Sequence, residues 1–165
     1  MHIRRALTLG LLLTASYYSL AGEPVEFKLE GFYLGMSRED ATAVRPQTPW
    51  KRVMRGTPSE VVRKEFMGTH MERETEVTVD LSPSEELVRV IGFAFKTTTD
   101  QQCITDAMTA LAKLEALYGE ESEVLLEQPG KRAKWVRKDG SVVRWLELCA
   151  SGAQRYIVTY ASGGG

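Results

Sequence analysis

Alternation of apolar and polar residues predicts β-strands in the middle of the chain. Residues 75–81 and 87–96 each place an apolar side chain at every second position, which is the period of a strand with one buried face. Residues 50–54 and 61–67 carry a weaker form of the same pattern. Gly92 and Ala94 lie on the opposite face of their strand, where small side chains would let a helix approach closely.

A helical period predicts one long helix and one short one. The long helix runs from about residue 100 to 118, since Thr99 and Gln102 form a capping box and Gly119 follows the last apolar position. The short helix starts after Ser37, which forms a similar cap with Asp40. The expected apolar stripe of the long helix is Ile104, Ala107, Met108, Leu111, Leu114 and Tyr118.

The last part of the chain has the pattern of a strand meander. Asp139-Gly140 predicts a two-residue hairpin turn between two strands, and residues 154–161 give a final strand. Residues 37–96 and 100–161 each contain a predicted helix followed by strands, which indicates a coarse internal duplication. The predicted fold is α+β: an antiparallel sheet of about five to seven strands, with one short and one long helix packed on one face.

The first 21 residues have the layout of a secretory signal peptide. Arg4 and Arg5 precede a short apolar run, and Ser19 and Ala21 place small residues at the −3 and −1 positions of a cut before Gly22. The apolar run is too short to anchor the chain in a bilayer. We therefore expect a periplasmic or secreted protein after cleavage near Ala21.

The predicted mature chain, residues 22–165, has the size of a single domain. Removing the leader with its two arginines leaves 19 basic and 22 acidic residues, a net charge of −3. This balance argues against general electrostatic binding of nucleic acid. No later apolar run is long enough to span a membrane.

Cys103 and Cys149 are the two cysteines of the chain. In an oxidising compartment such a pair predicts a disulfide, which would close a loop of about 47 residues. The chain-entropy model values that closure at roughly 4 kcal/mol. A reactive thiol or a metal ligand is the alternative, but the chain has no CxxC motif and only two histidines.

Few residues offer catalytic chemistry. His70 is the single histidine after the leader, and its place between two strands predicts an exposed loop residue. Glu72, Glu74 and Glu76 alternate along one strand, as on an ordinary solvated face. No nucleophile elbow, zinc-protease motif or phosphate loop occurs. We therefore predict no enzyme, no cofactor and no metal site, with a pair of carboxylates across a cleft as the route to a hydrolase.

Two groups of aromatic and basic residues are candidate binding sites. Trp50 precedes Arg52 and Arg55 in a loop, and Trp135 with Arg137 belongs to a short basic cluster. Tryptophan and arginine are common hot spots of protein interfaces. The structural alternatives are that Trp50 closes the sheet over the short helix, and that the basic cluster protects an edge strand from unwanted pairing.

Residues 32–41, Phe-Tyr-Leu-Gly-Met-Ser-Arg-Glu-Asp-Ala, resemble the L-x-x-G-M-[ST]-x-x-x-[AV] opening of the BamE/SmpA outer-membrane assembly lipoproteins and related β-lactamase-inhibitor-protein-like domains. The resemblance implies a small helical segment before an antiparallel sheet that binds another protein. This chain departs from the pattern because Gly22 stands where those lipoproteins carry their lipid-bearing cysteine, and Val44-Arg45-Pro46 replaces the expected L-G-x-P.

The sequence therefore predicts a non-enzymatic, exported protein-binding module. Its expected role is that of an inhibitor, an immunity-type protein or an envelope-assembly accessory, with an envelope protein or an exported toxin or hydrolase as partner. The alternative is a binder of an envelope polymer or small ligand that uses Trp50 or Trp135 with nearby basic residues. A carboxylate-based hydrolase is the third possibility.

Overall fold

The computed structural model describes residues 29–54, 60–120, 123–125 and 130–163. The predicted leader, its cleavage site and Arg55 lie outside these residues. The elements in chain order are α1 (Arg38–Val44), β1 (Lys51–Met54), β2 (Glu60–His70), β3 (Arg73–Leu81), β4 (Val88–Lys96), α2 (Asp100–Tyr118), β5 (Glu123–Leu125), β6 (Arg132–Val136), β7 (Val142–Glu147) and β8 (Arg155–Ala161), with a short helical turn at Cys149–Ala153.

The eight strands form one antiparallel sheet in the order β1-β2-β3-β4-β8-β7-β6-β5. The predicted α+β class and antiparallel sheet are confirmed, and the described strands number eight where the sequence predicted about five to seven. Each helix precedes a four-stranded meander, and β4 and β8 meet at the centre of the sheet. The duplicated topology expected from the sequence is therefore present.

Both helices begin at the predicted caps. The Ser37 hydroxyl accepts a hydrogen bond from the backbone N–H of Asp40 at 3.0 Å, and the Thr99 hydroxyl accepts one from Gln102 at 3.2 Å. These bonds satisfy amides that have no partner within their own helix. Gly119 ends α2 with a φ of 80°, a value that glycine adopts without steric cost.

The core lies against one face of the sheet, which we call the core face. Strand pairing aligns Val77, Phe93 and Val158 across β3, β4 and β8, and all three are fully buried. The opposite face, which we call the open face, carries the alternate residues, such as Thr78 and Thr159. The alternation read from the sequence therefore separates the two faces correctly in these strands.

The buried side of α2 differs from the predicted stripe. Ile104 and Met108 are 38% and 42% exposed, and the prediction that both belong to the core is wrong. The disulfide between Cys103 and Cys149, with Cα atoms 5.5 Å apart, lies on the side of the helix that is buried. The buried residues of α2 are Cys103, Ala107, Ala110 and Leu114. The predicted disulfide is confirmed.

Gly92 does not serve the approach of a helix. A Cβ atom at this position would lie 2.6 Å from Oγ1 of Thr78, the residue paired with it on β3. The close neighbour that favours glycine here is thus a side chain of the adjacent strand, and the expectation of a helix at Gly92 is wrong.

The loop between β6 and β7 is longer than predicted. Pairing ends at Val136 and Val142, so residues 137–141 form the connection in place of a two-residue turn. β6 is also paired on its other side with β5, in the acidic stretch that follows α2. The basic cluster therefore does not lie on an edge strand. The sequence analysis missed β5 because its three residues are too few to give a recognisable strand pattern. In the described residues no helix is long and apolar enough to cross a membrane.

Candidate functional site

Small residues form the centre of the open face. The register aligns Thr78, Gly92 and Thr159 across three neighbouring strands, and Ala94 lies beside Ile157 in the next row. Short side chains leave the backbone surface shallow, so a partner with a flat or convex surface can approach it closely. Apolar side chains lie on both sides of this centre. Met67 is exposed on one side, and on the other Val136 is exposed while Leu146 and Ile157 are half-buried.

Acidic side chains predominate on β2 and β3. Glu65, Glu74 and Glu76 occupy the open face there, with Glu65 and Glu74 exposed. Arg63 is the basic exception, and Asp80 binds it through two hydrogen bonds, Nε to Oδ1 at 2.6 Å and Nη2 to Oδ2 at 2.9 Å. The hydrogen bond with Asp80 is the main reason that the pKa of Arg63 is raised. Because Asp80 balances Arg63, this half of the face is left with excess negative charge.

Basic side chains predominate on the other half of the open face. Arg132 and Arg144 are exposed on β6 and β7, and neither makes an ion pair within the described residues. Lys134 is the central residue of β6, is paired in register with Arg144, and is half-buried. Lys96, at the end of β4, bridges the halves through a 2.5 Å contact with Glu76. The charge on the open face therefore changes across the strands, from negative on β2 and β3 to positive on β6 and β7.

The structure places the predicted site residue Trp50 beside α1. Its indole N–H donates to the hydroxyl of Thr42 at 2.9 Å, and the ammonium of Lys64 lies 4.9 Å from its ring centroid. That ammonium is buried and donates to the backbone carbonyls of Arg45 and Thr48 at 2.8 and 2.6 Å. Trp50 thus packs over the end of the short helix, as the structural alternative required.

The other predicted site residues do not form one site. Arg52 is exposed and makes ion pairs with Glu60 and Glu85, at the β1 edge of the sheet. Trp135 is only 2% exposed and its indole N–H donates to the carbonyl of Gly119 at 3.0 Å. The prediction of Trp135 as a surface contact is corrected accordingly, since its ring belongs to the core. Arg137 is half-buried at the start of the β6–β7 loop.

His70 is buried, contrary to the prediction of an exposed loop residue. It is the last residue of β2, it is 2% exposed, and its ring stacks on Phe93 with centroids 3.9 Å apart. Burial lowers the pKa of His70 to about 4, so the imidazole is neutral at neutral pH. The described residues contain no group of three or more side chains suited to hold a metal ion.

The sequence also missed the open face as a unit. The alternation of β3 and β4 placed Thr78 and Gly92 on one side, but it could not show that β8 and β7 continue the same rows with Thr159 and Arg144. A signal did exist in the duplicated order of helix and strands, because two joined meanders bring the last strand of each half together.

Comparison of the chain with models of protein families, with curated proteins and with solved structures found no match.

Proposed function

We propose that the protein is a non-enzymatic binding module that docks a folded protein partner on the open face of its sheet. The observation that carries this proposal is the division of that face into an acidic and a basic half around a shallow, weakly apolar centre. A surface of this kind matches a partner that presents the opposite arrangement of charges.

We infer that both helices cover the core face and leave the open face to solvent. Lys64 bonds the carbonyls that follow α1, and Arg73 contacts Asp106 of α2 at 2.6 Å. Trp135 bonds the residue that ends α2. The register places these three side chains on the same face of the sheet as the core residues. The duplicated topology supports the inference, because two halves with the same order of helix and strands, joined through β4 and β8 in one antiparallel sheet, would place their helices on the same face.

Charge and size favour a protein over a charged polymer as the partner. A polyanion would be attracted by Arg144 and repelled by Glu65 and Glu74, which lie on the same face. Seven strand spacings and about six residues of strand length give the face roughly 34 by 20 Å. That area approaches the roughly 800 Å² that each partner contributes to a standard interface.

The compartment we propose is outside the cytoplasm. The Cys103–Cys149 disulfide supports an oxidising environment, and the leader-like residues 1–21 support export. In that setting, an inhibitor, an immunity-type protein or an envelope accessory would each need a binding face and no catalytic group.

Site-specific photo-crosslinking in the producing cells tests the proposal. A photoreactive phenylalanine would replace Met67 or Val136, which are 54% and 53% exposed at opposite ends of the open face. Met108, 42% exposed on α2, gives the matched control position. We expect one and the same protein to be crosslinked from both open-face positions and not from Met108. Crosslinking of a second copy of this chain, or equal capture from all three positions, would overturn the proposal.

Binding measurements with the captured protein extend the test. Arg144→Glu reverses a charge in the basic half, and Lys138→Glu makes the same change on an exposed residue of the β6–β7 loop. We expect Arg144→Glu to weaken binding by about tenfold or more, and Lys138→Glu by less than about twofold. Equal effects of the two variants would contradict a partner oriented by the open face.

A further inference from the structure

A cleft lies between the C-terminal half of α2, the β2–β3 turn and residues 30–31, which precede α1. Its volume is about 860 Å³. Sites for small molecules commonly enclose about 300 to 1,000 Å³. The cleft therefore has the size of a small-molecule site.

Apolar side chains line the cleft from two elements. Met71 lines it from the β2–β3 turn and is itself buried, and Ala116 and Leu117 line it from α2. A methionine side chain is flexible and fills irregular apolar space, so Met71 can adapt its shape to a ligand. Together these residues offer apolar contact to an aliphatic group on two sides.

The charge of Glu30, which also lines the cleft, is balanced within the protein. Oε2 of Glu30 accepts a hydrogen bond from Nη2 of Arg45 at 2.7 Å, and Oε1 accepts one from the backbone N–H of Thr69 at 2.5 Å. A Cβ atom at Gly68 would lie 2.9 Å from Cδ of Glu30, so the carboxyl group packs closely over β2. Glu30 therefore acts as a fixed part of the cleft wall.

Lys113 supplies a cation at the cleft. Its ammonium lies 3.2 Å from Oε2 of Glu72, whose side chain is 91% exposed. An ion pair this open to water contributes little to stability, so a ligand carboxylate can take the place of Glu72 at small cost. Lys113 precedes Ala116 and Leu117 by three and four positions, which places the cation on the same side of the helix as the apolar residues.

The charges favour an anion over a cation as the ligand's head group. In the described part of the cleft the two carboxylates are Glu30, which Arg45 balances, and Glu72, which extends into solvent. The ammonium of Lys113 is less exposed than its partner and lies beside the apolar lining. An anionic group can therefore contact Lys113 while the rest of the ligand stays in the cleft.

We propose that this cleft binds an aliphatic monocarboxylate, such as a medium-chain fatty acid. The ligand's carboxylate would contact the ammonium of Lys113 in place of Glu72, and its hydrocarbon chain would lie against Met71, Ala116 and Leu117. A cation about one helical turn from an apolar surface matches a molecule with an anionic head and an apolar tail. This site is independent of the partner proposed for the open face.

Titration calorimetry with three probes tests this site. Octanoate carries both the carboxylate and the chain, acetate lacks the chain, and octylammonium carries the opposite charge on the same chain. We expect octanoate to bind at least about tenfold more tightly than either of the others. Equal affinity for octanoate and octylammonium, or no saturable binding of octanoate up to about 10 mM, would overturn the proposal.

Charge variants of two exposed lysine–glutamate pairs assign the head-group contact. Lys113→Gln should weaken octanoate binding at least about tenfold, whereas Lys96→Gln, the same change in the pair with Glu76 on the open face, should alter it less than about twofold. Glu72→Gln removes the competing carboxylate and should strengthen octanoate binding by about two- to fivefold, whereas Glu76→Gln should leave it unchanged. Equal effects of the two lysine variants, or weaker binding by Glu72→Gln, would contradict the site.

A blocking variant tests the position of the hydrocarbon chain. Ala116→Phe places a ring in the cleft and should lower octanoate affinity at least about tenfold. Ala112→Phe makes the same change one turn earlier on α2, at an exposed position outside the described lining, and should alter it less than about twofold. Unchanged melting temperatures show that the variants are folded. Equal affinity in the two folded variants would overturn the placement of the chain in this cleft.

Discussion

Nε2 of His70 lies 3.1 Å from the hydroxyl oxygen of Tyr160, although the two residues are 90 positions apart in sequence. His70 ends β2 and Tyr160 belongs to β8, so the contact spans two intervening strands of the sheet. The imidazole also stacks on Phe93, between them. A protonated imidazole here would be cut off from water, and the cost of burying that charge is the physical reason for its lowered pKa.

This arrangement predicts that acid destabilises the fold through His70. The pKa is about 4 in the folded chain and 6.5 in the unfolded one, so the unfolded chain binds more protons between these values. The contribution of neutral His70 to the free energy of unfolding is therefore fully present above about pH 6.5. It falls by about 3 kcal/mol as the pH drops toward 4. Urea unfolding between pH 7 and pH 4 measures the effect.

His70→Phe provides the control for this pH dependence. The variant loses the bond to Tyr160 and about 1 kcal/mol at pH 7, but it cannot take up the proton. The difference in free energy of unfolding between the wild type and the variant should therefore shrink, and then change sign, as the pH falls. Parallel pH profiles for the two proteins would show that His70 is not the titrating group.

Loss of the disulfide should destabilise the protein strongly. Cys103 and Cys149 are separated by 46 residues, and closing a loop of that length contributes up to about 4 kcal/mol. We expect both reductant and the double variant Cys103→Ala, Cys149→Ala to lower the urea midpoint of unfolding. Reductant should have no further effect on the double variant. A wild-type midpoint that does not change with reductant would contradict this expectation.

The turn between β2 and β3 predicts a stabilising substitution. His70 pairs with Arg73, so Met71 and Glu72 form a two-residue loop, and both have positive φ angles of 51° and 67°. Such loops favour Asn-Gly, since side chains with a Cβ are strained there. Glu72→Gly should raise the free energy of unfolding by about 1 kcal/mol, with Met71 kept because it is buried.

Glu74→Gly is the matched control for that turn. The residue lies two positions further on, in an extended strand, where glycine loses backbone entropy without relieving strain. We expect it to lower the free energy of unfolding by about 0.5 to 1 kcal/mol. Thermal and urea unfolding should therefore show opposite signs for the same substitution. Equal signs would mean that the positive φ of Glu72 carries no cost.

The sequence predicted best where a local pattern decides the structure. Ser37 and Thr99 cap their helices as expected, because a cap depends only on residues within one turn. The strands around Val77 and Phe93 followed from the alternation of apolar and polar residues. The disulfide followed from the oxidising compartment that the leader predicts, since two cysteines are expected to pair there.

The candidate sites depend on contacts between distant segments, which no local pattern contains. The sequence around His70 is typical of a turn between two strands. Only the pairing of β8 with β4 brings Tyr160 within hydrogen-bonding distance of it. Trp135 was chosen for its basic neighbours, but the end of α2 covers it. Arg137 lines one cleft together with Tyr118 and Tyr160, and only the three-dimensional arrangement brings these three residues together.

Gly92 gives a prediction that isolates one steric contact on the open face. A methyl group added there would meet Oγ1 of Thr78 at 2.6 Å, and a β-branched threonine on a strand has few other rotamers to adopt. Gly92→Ala should therefore cost about 1 to 2 kcal/mol. In a Thr78→Ala background the hydroxyl is absent, and the same substitution should cost little. Urea unfolding of the wild type, the two single variants and the double variant gives the coupling energy, which we expect to reach about 1 kcal/mol. Additive effects would show that Thr78 is not the reason for glycine at this position.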